Sequence, residues 1–283
     1  MVINCGGRPL CLDSPVVMGV LNVTPDSFSD GGDYFDTALA VERGLAMVSD
    51  GAAILDVGGE STRPGAEPVS IQQEMDRVLP VLEALLPEVS VPISVDTRHA
   101  EVMAAVITAG AGMINDVNAL RSPGAVSAVN HSDVAVCLMH MHANPETMQD
   151  NPRYRDPVKE IADFLAERVE AVESAGVDRS RLIVDPGFGF GKTLDHNLRL
   201  LAQLSHFSAT GLPLLVGLSR KSMLGEILSL PADERLYGSL AVAVLAAERG
   251  AHIIRCHDVA ETCQVLKVVA AVSQQNLGSS NNG

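Results

Sequence analysis

The chain has 283 residues, a length that one α/β barrel domain can fill, and its hydrophobic fraction is 47% while aromatic residues make up 3%. Its formal net charge of -15, with no run of Lys and Arg, excludes the broad basic surface that nucleic acids and anionic membranes require. The 5 cysteines contain no C-x-x-C spacing, which indicates reduced thiols. No signal peptide pattern opens the chain, and the longest apolar run, 240–247, is too short to cross a bilayer, so we predict a cytoplasmic protein.

Short apolar runs alternate with longer amphipathic stretches along the whole chain. The runs are 16–23, 53–57, 92–96, 113–117, 134–139, 181–185, 214–218 and 252–257. Most stay apolar until their last residues, as strands buried on both faces do. Eight repeats of strand and helix predict the α/β class and a single-domain (β/α)8 TIM barrel over 1–283. An open doubly wound sheet is the rival fold, but the turn at 22–26 lacks its glycine-rich fingerprint.

The ends of the chain and of the repeats carry signals of their own. Residues 1–13, around Gly6 and Gly7, predict a β-hairpin that covers the bottom of the barrel. The polar segment 273–283 predicts a flexible tail. Five glycines each follow a predicted helix and precede a predicted strand, which is typical of helix C-caps. They are Gly51, Gly110, Gly176, Gly211 and Gly250.

Polar residues stand where the predicted strands end, and barrel enzymes place their working groups there. Asp96, Asn115 and Asp185 offer acceptors and an amide that could bind the edge of a flat, nitrogen-rich heterocycle. Met139 and Phe190 could cover its faces. A single buried Asp or Asn is as often a capping or strand-end residue, so the interpretation depends on the convergence of all three.

Cationic residues follow the second, seventh and eighth predicted strands. They are Arg63, Arg220, Lys221, Arg255 and His257. In so acidic a chain this cluster indicates a phosphate or diphosphate site. For Arg220 alone we favour an ion pair with a neighbour such as Asp258 or Glu261. Lys221 is interpreted as a hydrogen-bond and charge ligand, although a Schiff-base role is an alternative.

Two further features of the sequence are a possible metal ligand and a glycine-rich segment. Asn22 could offer an amide oxygen to Mg²⁺ facing a diphosphate, or it could only turn the chain. The segment 187–193 is similar to a phosphate-binding P-loop, but Pro186 occupies the position of its first glycine, so we predict a flexible glycine loop.

Eight motifs in order resemble those of the dihydropteroate synthase family. They lie at 18–32, 56–65, 94–97, 114–116, 138–141, 185–192, 219–222 and 254–258. The resemblance covers nearly the whole chain. It implies that p-aminobenzoate displaces diphosphate from 6-hydroxymethyl-7,8-dihydropterin diphosphate and gives 7,8-dihydropteroate, a step of folate biosynthesis that sulfonamides block, in a homodimeric enzyme.

The resemblance also implies a role for individual residues. The pterin ring would contact Asp96, Asn115, Met139, Asp185, Phe190, Gly217 and Lys221. The diphosphate would contact Asn22, through Mg²⁺, together with Arg63, Arg255 and His257. The p-aminobenzoate site would include Phe28, Thr62, Pro64, Phe188 and Ser219. Lys221, Arg255 and Asp185 would be the catalytic residues, in a dissociative displacement without a covalent enzyme intermediate.

Three alternatives remain open at the level of the sequence. A pterin-binding methyltransferase domain would share the Asp and Asn residues but would not need Arg63, Arg255 and His257. A Schiff-base aldolase would use Lys221 as its nucleophile. A non-catalytic pterin-binding protein would have no use for the diphosphate motifs.

Overall fold

Ten β-strands in two sheets form the centre of the part of the chain that a computed structural model describes. The model describes residues 1–24, 33–61, 68–142, 148–149 and 151–279, with backbone alone for 33–36 and 276–279. The strands are β1 (Val2–Cys5), β2 (Arg8–Cys11), β3 (Val16–Asn22), β4 (Ile54–Gly58), β5 (Ile93–Asp96), β6 (Met113–Asp116), β7 (Ala135–Met139), β8 (Leu182–Asp185), β9 (Leu215–Gly217) and β10 (Ile253–Cys256). The runs predicted from the sequence therefore match β3 to β10 within two residues at either end.

Strands β3 to β10 are all parallel, and every strand from β3 to β9 except β8 pairs with the next strand along the chain. The last strand, β10, also pairs with β3, and a parallel bridge between Val184 and Leu214 links β8 to β9. The sheet thereby closes on itself. The predicted (β/α)8 barrel is confirmed.

Helices follow the barrel strands and cover their outer faces. Within the described residues they are α1 (Asp33–Ser49), α2 (Ile71–Leu85), α3 (Ala100–Ala109), α4 (Ala125–Asn130), α5 (Pro157–Ser174), α6 (Leu194–Ala202), α7 (Ser222–Leu228), α8 (Leu236–Glu248) and α9 (Val259–Ser279). Outward strand residues such as Leu55 and Val95 pack against helix residues such as Leu82 and Val102 in one buried cluster. None of the described helices combines the length and the apolarity needed to cross a membrane.

The five predicted glycine caps all have positive φ, between 67° at Gly211 and 110° at Gly110, as expected of C-caps. The predicted tail, 273–283, is described only in part: the backbone of α9 continues through Ser279, and residues 280–283 lie outside the described residues.

The N-terminal hairpin lies against the amino-terminal ends of the barrel strands, as predicted. Strands β1 and β2 are antiparallel, and their turn uses Gly6 and Gly7, both at positive φ. The apolar side of the hairpin, with Ile3 and Leu10, packs on a layer of inward strand residues. That layer, the bottom layer, consists of Met18, Ile54, Met113, Ala135, Cys137, Ile183, Leu215 and Ile253. Hairpin and bottom layer together close this end of the barrel, so among the described residues the opposite end is the one that can receive a ligand.

Candidate active site

A small pocket lies at the carboxyl-terminal ends of the barrel strands. It is lined by Asp96, Asn115, Val117, Met139, Asp185, Gly187, Phe188, Phe190, Gly217, Lys221 and Arg255. Parallel strands bring their carboxyl ends to the same edge, so residues up to 159 positions apart meet here. Every residue assigned to the pterin ring from the sequence lines this one pocket.

Arg255 on β10 lies at the centre of a buried polar network. Its Nε donates a hydrogen bond of 2.6 Å to Asp56 Oδ2, and its Nη2 donates one of 2.9 Å to Asp96 Oδ2. Asn115 Nδ2 donates to the same Asp56 oxygen at 3.1 Å. The guanidinium carries five N–H donors, and these two bonds use only two of them. Arg255 can therefore bind a further acceptor without releasing either carboxylate.

Burial changes the protonation of this network. The side chain of Asp56 is 0% exposed and that of Asp96 is 11% exposed. Burial raises the pKa of Asp96 to about 7, although the charge of Arg255 opposes the rise. Burial disfavours the cation of Arg255, but the carboxylates of Asp56 and Asp96 outweigh it and raise its pKa. Arg255 is thus a permanent cation, and Asp96 can carry a proton near neutral pH.

Asn115 has a buried side-chain oxygen that accepts no hydrogen bond from the described residues. The amide lies on the pocket wall, with its nitrogen held by Asp56. A buried polar atom without a partner is costly unless a ligand or water binds it. Asn115 Oδ1 is therefore a fixed acceptor for an N–H group of a ligand.

Asp185 and Lys221 form the opposite, ionisable side of the pocket. Asp185 Oδ1 accepts a hydrogen bond of 2.7 Å from the backbone N–H of Gly187, which fixes the carboxylate. Burial raises the pKa of Asp185 to about 6 and lowers that of Lys221 to about 8. The Lys221 ammonium lies 4.3 Å from the centroid of the Phe190 ring, a cation–π distance. At neutral pH the charged Asp185 carboxylate can accept hydrogen bonds from a ligand, and the charged Lys221 ammonium can donate them.

Apolar side chains form another wall of the pocket. Met139 and Val117 are nearly fully buried and pack with Met141 and Met148, and the half-buried Phe190 covers this group. Phe188, assigned to p-aminobenzoate from the sequence, lines the same pocket and is 1% exposed. Polar edges combined with apolar walls suit a flat heterocycle.

Of the residues assigned to the diphosphate, Asn22, Arg255 and His257 belong to the described residues. Asn22 ends β3 beside Gly58, whose added Cβ would lie 3.7 Å from both Asn22 Oδ1 and Asp96 Cβ. His257 Nδ1 lies 3.0 Å from Ser219 Oγ, which also accepts from the His257 backbone N–H at 3.3 Å. These residues stand at the strand ends next to the pocket.

Phe28, Thr62, Arg63 and Pro64, which the sequence assigns to the substrates, lie outside the described residues. Arg220 makes the ion pair expected of it, since its Nε donates to Asp258 Oδ2 at 3.1 Å.

A second group of ionisable side chains lies just after β4 and β5. Glu60, Glu74 and His99 bring ligand atoms within 4.8 Å of one another, close enough to be considered for a metal ion. Glu60 already forms a two-pronged ion pair with Arg98, and Glu74 binds His99 Nδ1 at 2.7 Å. A cation would have to compete with both bonds.

Sequence reasoning assigned no role to Asp56, Val117, Gly187 and Lys192. Asp56 sits two residues after Ile54 of the bottom layer, and that spacing of two on a strand was a usable signal for an inward side chain. Val117 and Gly187 follow strand ends and gave no signal beyond that position. The sequence does not reveal the direction of the Lys192 side chain, which points into the protein and away from solvent.

A barrel whose mouth holds this set of carboxylates, amide and cations around an apolar slot defines a pterin-binding enzyme. The family model described as "Pterin binding enzyme" matches residues 18–257. The dihydropteroate synthase of Escherichia coli K12 is 52% identical over 265 residues, which cover 94% of each chain. The chain belongs to the dihydropteroate synthase family of pterin-binding transferases.

Solved structures of the family superpose closely on this barrel. A dihydropteroate synthase of Xanthomonas albilineans with 4-aminobenzoic acid is 50% identical, with a TM-score of 0.91 over 96% of this chain and 98% of that one. A Yersinia pestis dihydropteroate synthase in a sulfonamide drug complex is 48% identical, with a TM-score of 0.93 over 97% of this chain and 100% of that one. The likeness therefore covers the whole barrel and both of its ends.

Proposed function

We propose that this chain condenses 6-hydroxymethyl-7,8-dihydropterin diphosphate with p-aminobenzoate to give 7,8-dihydropteroate, diphosphate and a proton. One observation carries the proposal: Asp96, Asn115, Asp185 and Lys221 converge on one pocket with an apolar wall. The names of the relatives support the same reaction.

The pterin ring is the part of the substrate that fits the pocket. Its edge presents N–H donors next to ring acceptors, so Asp185 and Asn115 Oδ1 accept from it while Lys221 donates to it. Met139 and Phe190 pack on its faces, and Gly217 leaves room for it because it has no side chain. We assign Asp96 to the same ring, with Arg255 keeping its carboxylate in place.

The diphosphate group is assigned to Asn22, Arg63, Arg255 and His257. The residues present fit Mg²⁺, because Asn22 offers a neutral amide oxygen at the end of β3, next to Gly58, which has no side chain to crowd it. Bound there with the diphosphate, Mg²⁺ would neutralise charge on the leaving group. Arg255 contributes a fixed cation on the pocket side of the same group.

The reaction needs one bond to break and one to form at the exocyclic methylene carbon. The carbon–oxygen bond to diphosphate breaks, the electron-rich dihydropterin stabilises the cation, and the amine nitrogen attacks. Asp185, Asn115 and Lys221 hold the ring while this charge develops, and Arg255 binds the departing anion by charge. No side chain forms a covalent bond to the substrate.

The p-aminobenzoate site is assigned to Phe28, Thr62, Pro64, Phe188 and Ser219. Two of these lie beside the pocket, since Phe188 lines it and Ser219 follows β9. The Xanthomonas structure with 4-aminobenzoic acid and the Yersinia structure with a sulfonamide support an aryl site in this chain. Sulfonamides would then compete with p-aminobenzoate.

The test is diphosphate release by the purified protein from dihydropterin diphosphate and Mg²⁺, with and without p-aminobenzoate. We expect release that depends on p-aminobenzoate and yields dihydropteroate. Tight pterin binding without release would contradict the proposal and favour a methyltransferase or binding domain. Trapping of Lys221 by borohydride with a carbonyl compound would favour the aldolase.

We further propose that the chain is one domain, acts as a homodimer and is cytoplasmic. The barrel strands form one continuous closed sheet, which supports a single folding unit. Sedimentation of the purified protein would report a particle of twice the chain mass of 29.8 kDa. A monomer at assay concentration would contradict the dimer.

A further inference from the structure

The glycine loop after β8 forms the pocket wall that carries Gly187 and Phe190. It begins at Gly187, whose φ is +69° and whose added Cβ would lie 1.9 Å from the carbonyl oxygen of His140. The backbone of the loop therefore presses directly on the end of β7. A side chain at Gly187 would push it away.

Lys192 is the cation of the P-loop-like motif, yet its ammonium does not face solvent or a phosphate. The residue is 4% exposed. Its Nζ donates to the carbonyl oxygens of Gly187 at 2.7 Å and Phe190 at 3.0 Å. It also lies 3.0 Å from His140 Nδ1 and 3.4 Å from the His140 carbonyl oxygen. The three protons of the ammonium thus all have acceptors, and every acceptor is part of the pocket wall or of the strand behind it.

His140 completes this arrangement as a neutral acceptor. Burial lowers the pKa of His140 to about 2, and Lys192 adds to the effect. The ring therefore carries one proton, and because Nδ1 faces an ammonium, that proton belongs on Nε2. Burial also lowers the pKa of Lys192, to about 7, while the Asp185 carboxylate favours its charged form and Lys221 opposes it.

Other side chains hold the loop at points farther from the pocket. Asn197 Oδ1 accepts from the Gly189 N–H at 2.9 Å, Gln149 donates to the Gly189 carbonyl at 2.6 Å, and Tyr154 donates to the Gly191 carbonyl at 3.1 Å. Lys192 differs from these three, because its two loop acceptors belong to residues that line the pocket. The flexibility predicted from the glycine content is therefore opposed by side-chain hydrogen bonds along the loop.

The positions of two groups that face the ligand depend on the backbone at Gly187 and Phe190. The Gly187 N–H binds the Asp185 carboxylate, and the Phe190 ring lies against the Lys221 ammonium. A shift of the peptide groups that Lys192 holds would move both contacts at once.

We propose that Lys192 is a positioning residue for pterin binding, which fixes Asp185 and the Phe190 ring through the carbonyl groups of Gly187 and Phe190. The inference rests on the proposed function, because the pterin is the ligand that these two groups receive. It gives the lysine of the P-loop-like motif a role toward backbone carbonyls in place of phosphate.

The test compares Lys192→Met with Tyr154→Phe in the full-length protein. The first removes the ammonium and keeps an apolar stem, and the second removes one hydrogen bond to the same loop at Gly191. The probe is 6-hydroxymethylpterin, whose fluorescence reports binding without catalysis. We expect Lys192→Met to weaken binding about tenfold, the effect of losing one charge-assisted hydrogen bond, and Tyr154→Phe to change it less than about twofold.

Kinetics separate positioning from folding. For Lys192→Met we expect the KM for dihydropterin diphosphate to rise with the dissociation constant, while kcat at saturation stays within about threefold of wild type. A lower thermal midpoint with an unchanged dissociation constant and KM would assign Lys192 to stability alone and overturn the inference. If Lys192→Met does not fold, Lys192→Gln carries the test, because its amide can still donate to one loop carbonyl. Unchanged pterin binding by a folded Lys192→Gln would overturn the inference equally.

The wild-type control distinguishes the two proposals. Failure of the wild-type protein to bind 6-hydroxymethylpterin would overturn the proposed function and this inference with it. Binding by wild type that is unchanged in the Lys192 variants would overturn this inference and leave the proposed function standing.

Discussion

The two ends of the barrel use the same strands in opposite ways. On β8, Ile183 belongs to the apolar bottom layer, and Asp185, two residues later on the same face, lines the pocket. On β10, Ile253 and Arg255 repeat the pattern. One step of two residues along a strand therefore separates a position that contributes to stability from one that contributes to binding.

Burial has opposite energetic signs at the two ends. In the bottom layer it removes apolar side chains from water and stabilises the fold. At the mouth it raises the pKa of Asp185 and lowers the pKa of Lys221, which means that the charged forms destabilise the empty site. We expect substitutions at the bottom to lower stability without affecting affinity, and substitutions at the mouth to affect affinity first.

Arg255→Met is the strongest test, because this residue at the mouth should affect both the stability of the fold and the activity of the site. It leaves the fully buried Asp56 and the largely buried Asp96 without their cation. We expect the free energy of unfolding, from urea titration, to fall by about 3–5 kcal/mol, and diphosphate release to fall on the order of a thousandfold. The double variant Asp56→Asn with Arg255→Met should recover part of the stability and none of the activity. If Arg255→Met alone is as stable as wild type, the ion pairs of Arg255 with Asp56 and Asp96 do not stabilise the barrel.

Ile183→Ala tests the bottom layer alone. The side chain is 0% exposed, so its truncation leaves a cavity and should lower the free energy of unfolding by about 2–5 kcal/mol. The KM for dihydropterin diphosphate should stay within about twofold of wild type. A large rise in KM with unchanged stability would contradict the division between the two ends.

Asp185→Asn tests the mouth of the same strand. Loss of the charged acceptor should weaken pterin binding by about 10- to 100-fold, measured by calorimetry. The folded-state pKa of Asp185 is raised from 3.8 to about 6, so ionisation weakens the wild-type fold as pH rises through this interval.

The Asn variant avoids that loss of stability. Its free energy of unfolding should therefore exceed that of wild type by about 1–3 kcal/mol at pH 7, and the difference should vanish below about pH 4. Unchanged pterin affinity would remove Asp185 from the ligand set. Equal stabilities of the two proteins from pH 4 to 7 would show that burial does not raise the pKa of Asp185.

Lys221→Arg is the smallest change and sharpens the electrostatic side of the comparison. The lowered pKa of Lys221, about 8, means that its ammonium is lost as pH rises through that value. Wild-type affinity for 6-hydroxymethylpterin should then fall up to about tenfold per pH unit above pH 8. Arginine keeps its charge there, and the ionisation of the ligand is common to both proteins, so the variant should lack this extra fall. Parallel pH profiles would show that Lys221 does not donate to the ring.

The barrel and the pocket at its mouth were predictable from the sequence because strands buried on both faces read as apolar runs with polar last residues. Asp96 and Asp185 end two such runs, Asn115 lies near the end of a third, and the strands deliver them to one place. The hairpin was equally visible, through Gly6 and Gly7.

Contacts between distant residues were not predictable. Arg255 binds carboxylates 199 and 159 residues away, and no local spacing encodes that choice. The sequence also leaves open whether a lysine in a glycine loop points outward to a phosphate or, as Lys192 does, inward to carbonyls. Both outcomes depend on which neighbours the closed barrel brings within 3 Å or so of the cation.

The pairing of Arg255 with Asp56 and Asp96 has a consequence for synthesis of the protein. The cation lies on the last strand of the barrel and its two anions on the second and third, so the ion network cannot form until β10 has been made. Until the ribosome has added residue 255 of the 283, Asp56 and Asp96 have no such counter-charge. A nascent chain that stops before residue 255 therefore contains most of the proposed ligand-binding residues but cannot assemble the site. The chain length at which pterin binding first appears during translation would then show when the barrel closes.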